Sequence, residues 1–162
     1  MSSGLQPRWP DVYAALLALL PTVLTFTGGP RGPVQIYDGQ YIGGDVPVDF
    51  VTVGFQSDDG SGSFAQAWDP SGFGTIETGD IRCLFSADSG DSDPIAVAAD
   101  RARVFAMFGS LQSSLMSDQT LGGALSGFVL TLSAQVVAIE NAAGAATSLL
   151  VVLAYQVTTY FT

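Results

Sequence analysis

The sequence predicts an α+β domain, a mostly antiparallel sheet of five or six strands with two helices packed on it. Two observations carry this prediction: one long helix signal from Pro94 to Met116, and strand signals that cluster before and after it. The strands and helices do not alternate as they would in a doubly wound fold. At 162 residues the chain fits one domain, residues 1–162, of which residues 1–8 are expected to be mobile.

The first helix is expected over residues 9–24. Its apolar stripe at helical spacing comprises Val12, Leu16, Leu19, Leu20 and Val23. The uncharged run over residues 12–26 superficially resembles a secretory signal peptide. However, Pro10 and Asp11 open it like a helix N-terminus, Pro21 interrupts it, and it is too short to span a bilayer. A core helix is therefore the prediction.

Short strands are expected between this helix and the long one. The signals lie at residues 34–37, 50–55, 64–68 and 75–87. The Asp38-Gly39 pair marks a turn after the first, and the acidic stretch QSDDGSGS after the second predicts an exposed loop. A turn over residues 69–74 should join the last two strands as an antiparallel pair.

The strand over residues 75–87 alternates with period 2, which places Ile81, Cys83, Phe85 and Ala87 on one apolar side. The acidic loop SADSGDSD should end it, and the helix should begin at Pro94 with Asp93 or Ser92 as its cap. Gly122 and Gly123 should end that helix.

The long helix carries an apolar side that should lie on the sheet. Its members are Val97, Val104, Phe108, Leu111 and Leu115. Asp100 and Arg103 stand three residues apart on a more polar side, where an ion pair contributes only about 0.3 kcal/mol. That side is interpreted as solvated surface or as a subunit contact.

Two strands joined by the turn NAAG are expected at residues 127–139 and 147–160. The last strand is apolar on one face through Leu149, Val151, Leu153, Tyr155 and Val157, and on the other through Leu150, Val152 and Ala154. Both faces therefore need cover. If the helices cover one face, a neighbouring subunit is expected to close the other, which indicates an oligomer.

Composition excludes several functions. The chain has no histidine, and its 5 basic residues, all arginine, face 15 acidic residues for a net charge of −10. Such a chain repels nucleic acid, which excludes sequence-specific DNA binding, although an anionic wall can border a passage for DNA. The commonest general base, the Schiff-base amine and the phosphate-loop lysine are all missing. The single cysteine, Cys83, is predicted to be a buried thiol.

No catalytic, cofactor-binding or metal-binding constellation is predicted. Asp58 with Asp59, and Asp88 with Asp91 and Asp93, lack the spacing of a calcium loop, so solvated turn acids are favoured. Two residues are singled out as possible contacts. Arg82 either has a carboxylate partner, within or between subunits, or is a surface arginine. Trp68 is a core or an interface anchor, and the interface is favoured.

Several short segments, taken in their order along the chain, resemble one family, the tail terminator proteins of long, non-contractile-tailed bacteriophages. The resemblance is to the lambda-like group, and within it to proteins of phages that infect actinobacteria. The resemblance extends from about residue 9 to residue 160. The phrases are the Asp38-Gly39 turn, VTVGF at 51–55, Glu77 followed by GDIRC, SADSGD at 86–91, RAR at 101–103, TLGG at 120–123 and the closing hairpin. The stretch TFTGGPRGP and the loop around Gly43 depart from the family pattern, which leaves strand pairing before Phe50 open.

The resemblance implies a hexameric ring in the virion, at the head-proximal end of the tail, assembled in the host cytoplasm. The ring would dock on the last ring of tail-tube protein, stop tube polymerisation and present a surface to the neck or head-completion protein, with DNA only as passing cargo. It implies no enzymatic activity, no cofactor and no membrane. The candidate subunit or tube contacts are Trp68, Arg82, Arg101 and Arg103, and the candidate lumen-facing or tube-facing acids are Asp58, Asp59, Asp69, Asp88 and Asp91.

Two other functions stay open. Another head-to-tail joining protein, such as a tail-completion or neck component, would have the same acidic and oligomeric character. A secreted β-rich binding module would be cleaved near Gly28 and remain a monomer. An enzyme ranks last, because carboxylates alone would have to perform the chemistry.

Overall fold

A computed structural model describes residues 6–25, 33–39, 49–55, 60–125, 128–141 and 147–160. These residues form two helices and one six-stranded, mostly antiparallel sheet, which confirms the α+β prediction. The elements in chain order are α1 (Trp9–Val23), β1 (Gln35–Asp38), β2 (Phe50–Val53), β3 (Gly62–Trp68), β4 (Gly74–Ala87), α2 (Pro94–Ser117), β5 (Phe128–Asn141) and β6 (Thr147–Tyr160). The predicted NAAG turn lies largely outside the described residues.

The sheet is built around β4 and β6, which pair along their whole length from Gly74–Tyr160 to Ala87–Thr147. The strand order is β1-β2-β4-β6-β5. β3 and β2 share the remaining edge of β4, where β3 pairs with residues 75–81 and β2 with residues 83–86. The sheet therefore has β1 and β3 along one side and β5 along the other.

The strand before Phe50, whose pairing the sequence left open, is the parallel member of the sheet. β1 runs parallel to β2, with Gln35 opposite Phe50 and Asp38 opposite Val53. The remaining pairs are antiparallel, including the predicted pairs of β3 with β4 and of β5 with β6. β5 departs from regular register at two places, between Val129 and Thr131 and between Val136 and Ala138.

One face of the sheet packs against both helices. The side chains predicted for this face are buried in β4 (Ile81, Cys83, Phe85, Ala87) and in β6 (Leu149, Val151, Leu153, Tyr155, Val157). On α2 the predicted Val104, Phe108, Leu111 and Leu115 are buried, and Met107 joins them, while Val97 is only half-buried. On the opposite face of β6, Leu150, Val152 and Ala154 are half-buried.

The predicted core helix at the start of the chain is confirmed. In α1, Val12, Leu16 and Leu20 have no exposed surface. Pro21 is accommodated in the last turn, after which the backbone N–H of Leu24 donates to the carbonyl of Leu20. Neither described helix combines the length and the hydropathy that a membrane-spanning helix needs.

The capping signals of α2 behave as predicted. The Asp93 carboxylate accepts a hydrogen bond from the backbone N–H of Ile95 at 3.2 Å, and Pro94 occupies the first turn. After Ser117 the chain turns through Gly122 and Gly123, which adopt positive φ angles of 67° and 90°. Local sequence therefore determines both ends of this helix.

Candidate functional site

A buried carboxylate, Glu77, joins three parts of the fold. It is 3% exposed. It accepts hydrogen bonds from the Tyr155 hydroxyl at 2.6 Å, from the backbone N–H of Arg8 at 2.8 Å and from the Gln66 side-chain amide at 2.9 Å. Burial, together with this hydrogen bond, raises the pKa of Tyr155. Glu77 thus connects the start of α1 to β3, β4 and β6.

Little in the sequence indicates this arrangement. Glu77 shares the side of β4 that carries Ile81 and Cys83, so its register is the one available signal. Gly79 leaves room for the tyrosine, because a Cβ at that position would lie 2.5 Å from the Tyr155 ring. Although residues 1–8 were expected to be mobile, the backbone at Arg8 is held by Glu77, and residues 1–5 lie outside the described part of the chain.

Arg103 corrects a sequence-based interpretation. The prediction of a solvated surface is wrong at Arg103, because the side chain is only 15% exposed and its Nε donates to the Asp49 carboxylate within the same chain. Whether Arg103 also contacts another subunit stays a prediction. Asp49 is itself fully buried. The pair fastens the residue before β2 to the middle of α2, a contact between residues 54 apart that local spacing does not reveal.

Asp100 requires a second correction. It was predicted on the polar surface with Arg103, yet it has no exposed surface. Its carboxylate accepts hydrogen bonds from the hydroxyl of Ser89 at 2.8 Å and from the backbone N–H of Ser89 at 3.2 Å. Hydrogen bonds of this kind allow a carboxylate to be buried. Asp100 therefore fixes the loop between β4 and α2 against the helix.

In the described part of the chain, the acidic turn residues accept hydrogen bonds from backbone N–H groups of their own turns. Asp69 accepts a hydrogen bond from the Ser71 N–H at 2.9 Å, and Asp88 accepts one from the Gly90 N–H at 2.8 Å. Asp91 accepts one from the Asp93 N–H at 2.9 Å. No group of three or more potential metal ligands is found among the described residues. Asp58 and Asp59 lie outside those residues, and a lumen-facing role for any of these acids stays a prediction.

Cys83 is buried, as predicted, at 1% exposure, and burial raises its pKa to about 12. Because the thiolate is the reactive form, we expect the native protein to react with a thiol reagent such as Ellman's reagent far more slowly than the unfolded protein at mildly alkaline pH. The unfolded chain should release one equivalent of chromophore, for its one cysteine. Rapid reaction of the native protein would contradict the burial of this strand.

The remaining arginine candidates differ in exposure. Arg82 is half-buried, and its Nη1 donates to the backbone carbonyl of Gly60 at 3.2 Å, which joins β4 to the start of β3. Arg101 has an exposed side chain on α2. Arg82 thus has a structural contact within its own chain, whereas Arg101 presents its charge to solvent. Whether either residue contacts another subunit stays a prediction.

Trp68 is on the surface, not in the core. It is 66% exposed near the end of β3, and Phe64 on the same strand is 49% exposed. Phe73, in the turn between β3 and β4, is 72% exposed. We call residues 62–76 the aromatic arm. Aromatic side chains are common anchors of protein interfaces, so the arm is the first candidate interaction surface.

A second apolar surface lies at the opposite side of the sheet. Ile139 on β5 is 56% exposed, and Phe105 on α2 is 40% exposed. The Gln112 amide contacts the Ala134 carbonyl at 3.4 Å, which sets that side of α2 beside β5. Phe105 precedes Gln112 by two helical turns and so lies on the same side. We call β5 together with this side of α2 the β5 flank.

The sequence contains one signal for the β5 flank. Alternating spacings of three and four residues run along α2 away from its core-facing side, through Ala98, Ala102, Phe105, Gly109, Gln112 and Met116. A helix with two apolar sides can pack against two different partners. The first is the core, and the second side faces solvent in the single chain.

Comparison with known proteins finds a likeness in structure and none in sequence. No protein-family model and no curated protein matches the sequence. Among solved structures, the chain is similar to one in the virion of a native gene transfer agent particle, with a TM-score of 0.42 and 15% sequence identity, over 91% of this chain and 92% of that chain. The function is therefore inferred from this chain's own residues and surfaces.

Proposed function

We propose that the protein is a structural component of a phage virion, a tail terminator. It caps the head-proximal end of the tail tube, stops tube polymerisation and joins the tail to the neck, while DNA passes through the lumen of a ring. The observation that carries the proposal is the pair of exposed apolar surfaces, the aromatic arm and the β5 flank, on opposite sides of one sheet. The resemblance in the order of sequence phrases supports the same role.

Large exposed apolar side chains favour assembly. Trp68, Phe73 and Met116 are between 66% and 79% exposed, and they lie on structured elements or in a tight turn. Apolar surface of this kind in a soluble protein commonly marks a contact with another protein. A subunit with distinct apolar surfaces can contact its own copies through one and a different protein through another. Ring subunits at the end of a tube need such surfaces.

The charge of the chain suits a channel for DNA. A net charge of −10 gives the phosphate backbone little to bind, so DNA can pass an acidic wall without being held. The proposed mechanism is assembly by shape, and it uses no catalytic residue, metal or cofactor. The proposed partners are the tail-tube protein, a neck protein and further copies of the chain. The family resemblance implies six copies in a ring.

The proposal is tested by measuring the mass of the purified full chain by light scattering, alone and after mixing with a phage tail-tube protein, followed by negative-stain imaging. We expect rings, or tubes that stop growing with this protein at one end. Rings that bind a neck protein but leave tube growth unchanged would favour another head-to-tail joining protein. A monomer that leaves tube growth unchanged would contradict both roles and favour a secreted binding module.

A further inference from the structure

We propose that copies of this chain associate head to tail, with the aromatic arm of one copy docked on the β5 flank of the next. The inference deepens the proposed function, because it rests on ring assembly and names the contact that builds the ring. The occupant of each surface is thus a second copy of the same chain. The proposal follows from the position, the edge chemistry and the charge of the two surfaces.

The position of the surfaces determines the type of contact. β3 lies on one side of β4, whereas β5 lies beyond β6 on the other side. A contact between two different surfaces of identical subunits is heterologous, and it generates a ring when the rotation between subunits closes. If the arm paired with another arm, the contact would be isologous and would end at a dimer. The opposite placement of the surfaces therefore suits a ring.

The arm has an edge that can accept another strand. All residues of β3 from Ser63 to Trp68 are exposed, and the strand GSFAQAW contains no charged residue and no proline. Native monomers usually protect such edges with lysine, proline, a charge or a covering element. Within the described residues, β3 pairs only with β4. Its outer edge can therefore add a strand from a neighbouring copy.

The flank offers a matching edge on a longer strand. β5 has 14 residues, of which Glu140 is the one with a charged side chain, and it also lacks proline. Among the described strands it pairs only with β6. Ile139 is exposed at this edge, and Phe105 extends the apolar surface onto α2. The side chains of Phe64 and Trp68 can be buried there, where aromatic residues contribute most to association.

Charge favours the same pairing. Asp69, directly after β3, gives the arm a negative charge. Arg101 lies one helical turn before Phe105 and so on the same side of α2. Among the described arginines it is the one whose side chain is exposed, because Arg8, Arg82 and Arg103 are all partly buried. In a chain with net charge −10, most other surfaces would repel the arm.

Cysteine cross-linking tests the contact directly. Ala67 on β3 and Gln135 on β5 are exposed, and the native Cys83 is buried, so Ala67→Cys and Gln135→Cys add selectively reactive thiols. A mixture of the two variants should give a covalent dimer with a short bifunctional maleimide, and neither variant alone should do so. Ala14→Cys, at an exposed position on α1, is the control and should not cross-link with either variant. Dimers of one variant alone would overturn the head-to-tail contact.

Surface variants test the energetics. We expect Trp68→Ser to weaken self-association by about tenfold or more, as for an aromatic anchor. Ala14→Ser is the control, because Ala14 is exposed on α1, outside both the aromatic arm and the β5 flank. It should change association by less than about twofold. Equal effects of the two substitutions would contradict the proposal.

Exchanging the charges of Asp69 and Arg101 tests whether association can be restored. Asp69→Arg and Arg101→Asp should each weaken association, and the double variant should recover most of it. Asp69→Asn separates the loss of charge from any effect on the turn. If the wild-type chain associates in a way that none of these substitutions changes, that result would overturn the proposed contact and leave the tail terminator role intact. A wild-type chain that remains monomeric with and without tube protein would overturn both.

Discussion

Replacing Asp49 with alanine is expected to lower the free energy of unfolding by about 3–5 kcal/mol, the cost typical of breaking a buried ion pair. Asp49 is fully buried, and it accepts a hydrogen bond from the Arg103 guanidinium, whose side chain is 15% exposed. Without that carboxylate, the largely buried guanidinium loses a buried counter-ion. Urea denaturation followed by circular dichroism measures the change.

Two controls separate the ion pair from a general effect of losing an acidic side chain. Asp91→Ala removes an exposed turn aspartate and should cost less than about 1 kcal/mol. Asp49→Leu combined with Arg103→Met removes both charges, and it should be more stable than Asp49→Ala alone, because buried pairs can be replaced by apolar residues. A loss of less than about 1 kcal/mol in Asp49→Ala would contradict the importance of the pair.

Replacing Glu77 with alanine is expected to destabilise the protein by about 2–4 kcal/mol, because three donors, among them the buried Tyr155 hydroxyl, lose their acceptor at once. The donors are the Tyr155 hydroxyl, the Arg8 backbone N–H and the Gln66 amide. The substitution also releases the start of α1 from β4. We therefore expect faster hydrogen exchange in the first turn of α1, in addition to a lower urea midpoint.

A double-mutant cycle with Tyr155→Phe isolates the shortest of the Glu77 hydrogen bonds. In the wild-type background this substitution removes the hydroxyl that donates to Glu77 at 2.6 Å. In the Glu77→Ala background the hydroxyl no longer has that acceptor, so its removal should cost less or even stabilise the protein. Glu140→Ala, at an exposed position of β5, is the control and should change stability by less than about 0.5 kcal/mol. Additive effects of Glu77→Ala and Tyr155→Phe would show that the two side chains are not coupled.

These stability experiments also support the interpretation of the assembly variants. The surface substitutions Trp68→Ser and Ala14→Ser affect exposed side chains and should leave the urea midpoint nearly unchanged. The buried substitutions should lower it whether or not the chain assembles. A loss of assembly with unchanged stability can then be attributed to the contact surface. A loss of both would point to the fold.

Much of the fold follows from local patterns in the sequence. The bounds of β6 agree with the predicted residues 147–160, and α2 begins at Pro94 as its cap predicts. The alternation of apolar residues identified the buried side of β4, including Cys83. These features are determined by residues within a few positions of one another, through strand period, helix period and capping chemistry.

The sequence by itself determined the α+β class, most element positions, the apolar core and the acidic character that disfavours nucleic-acid binding. Only the tertiary structure decided the parallel pairing of β1 with β2, the burial of Asp49, Glu77 and Asp100, and the separation of two apolar surfaces across the sheet. The physical reason is that a charged residue is buried only where distant donors satisfy it. Glu77 and the Arg8 N–H, for example, are 69 residues apart in the chain, and no local period encodes their contact.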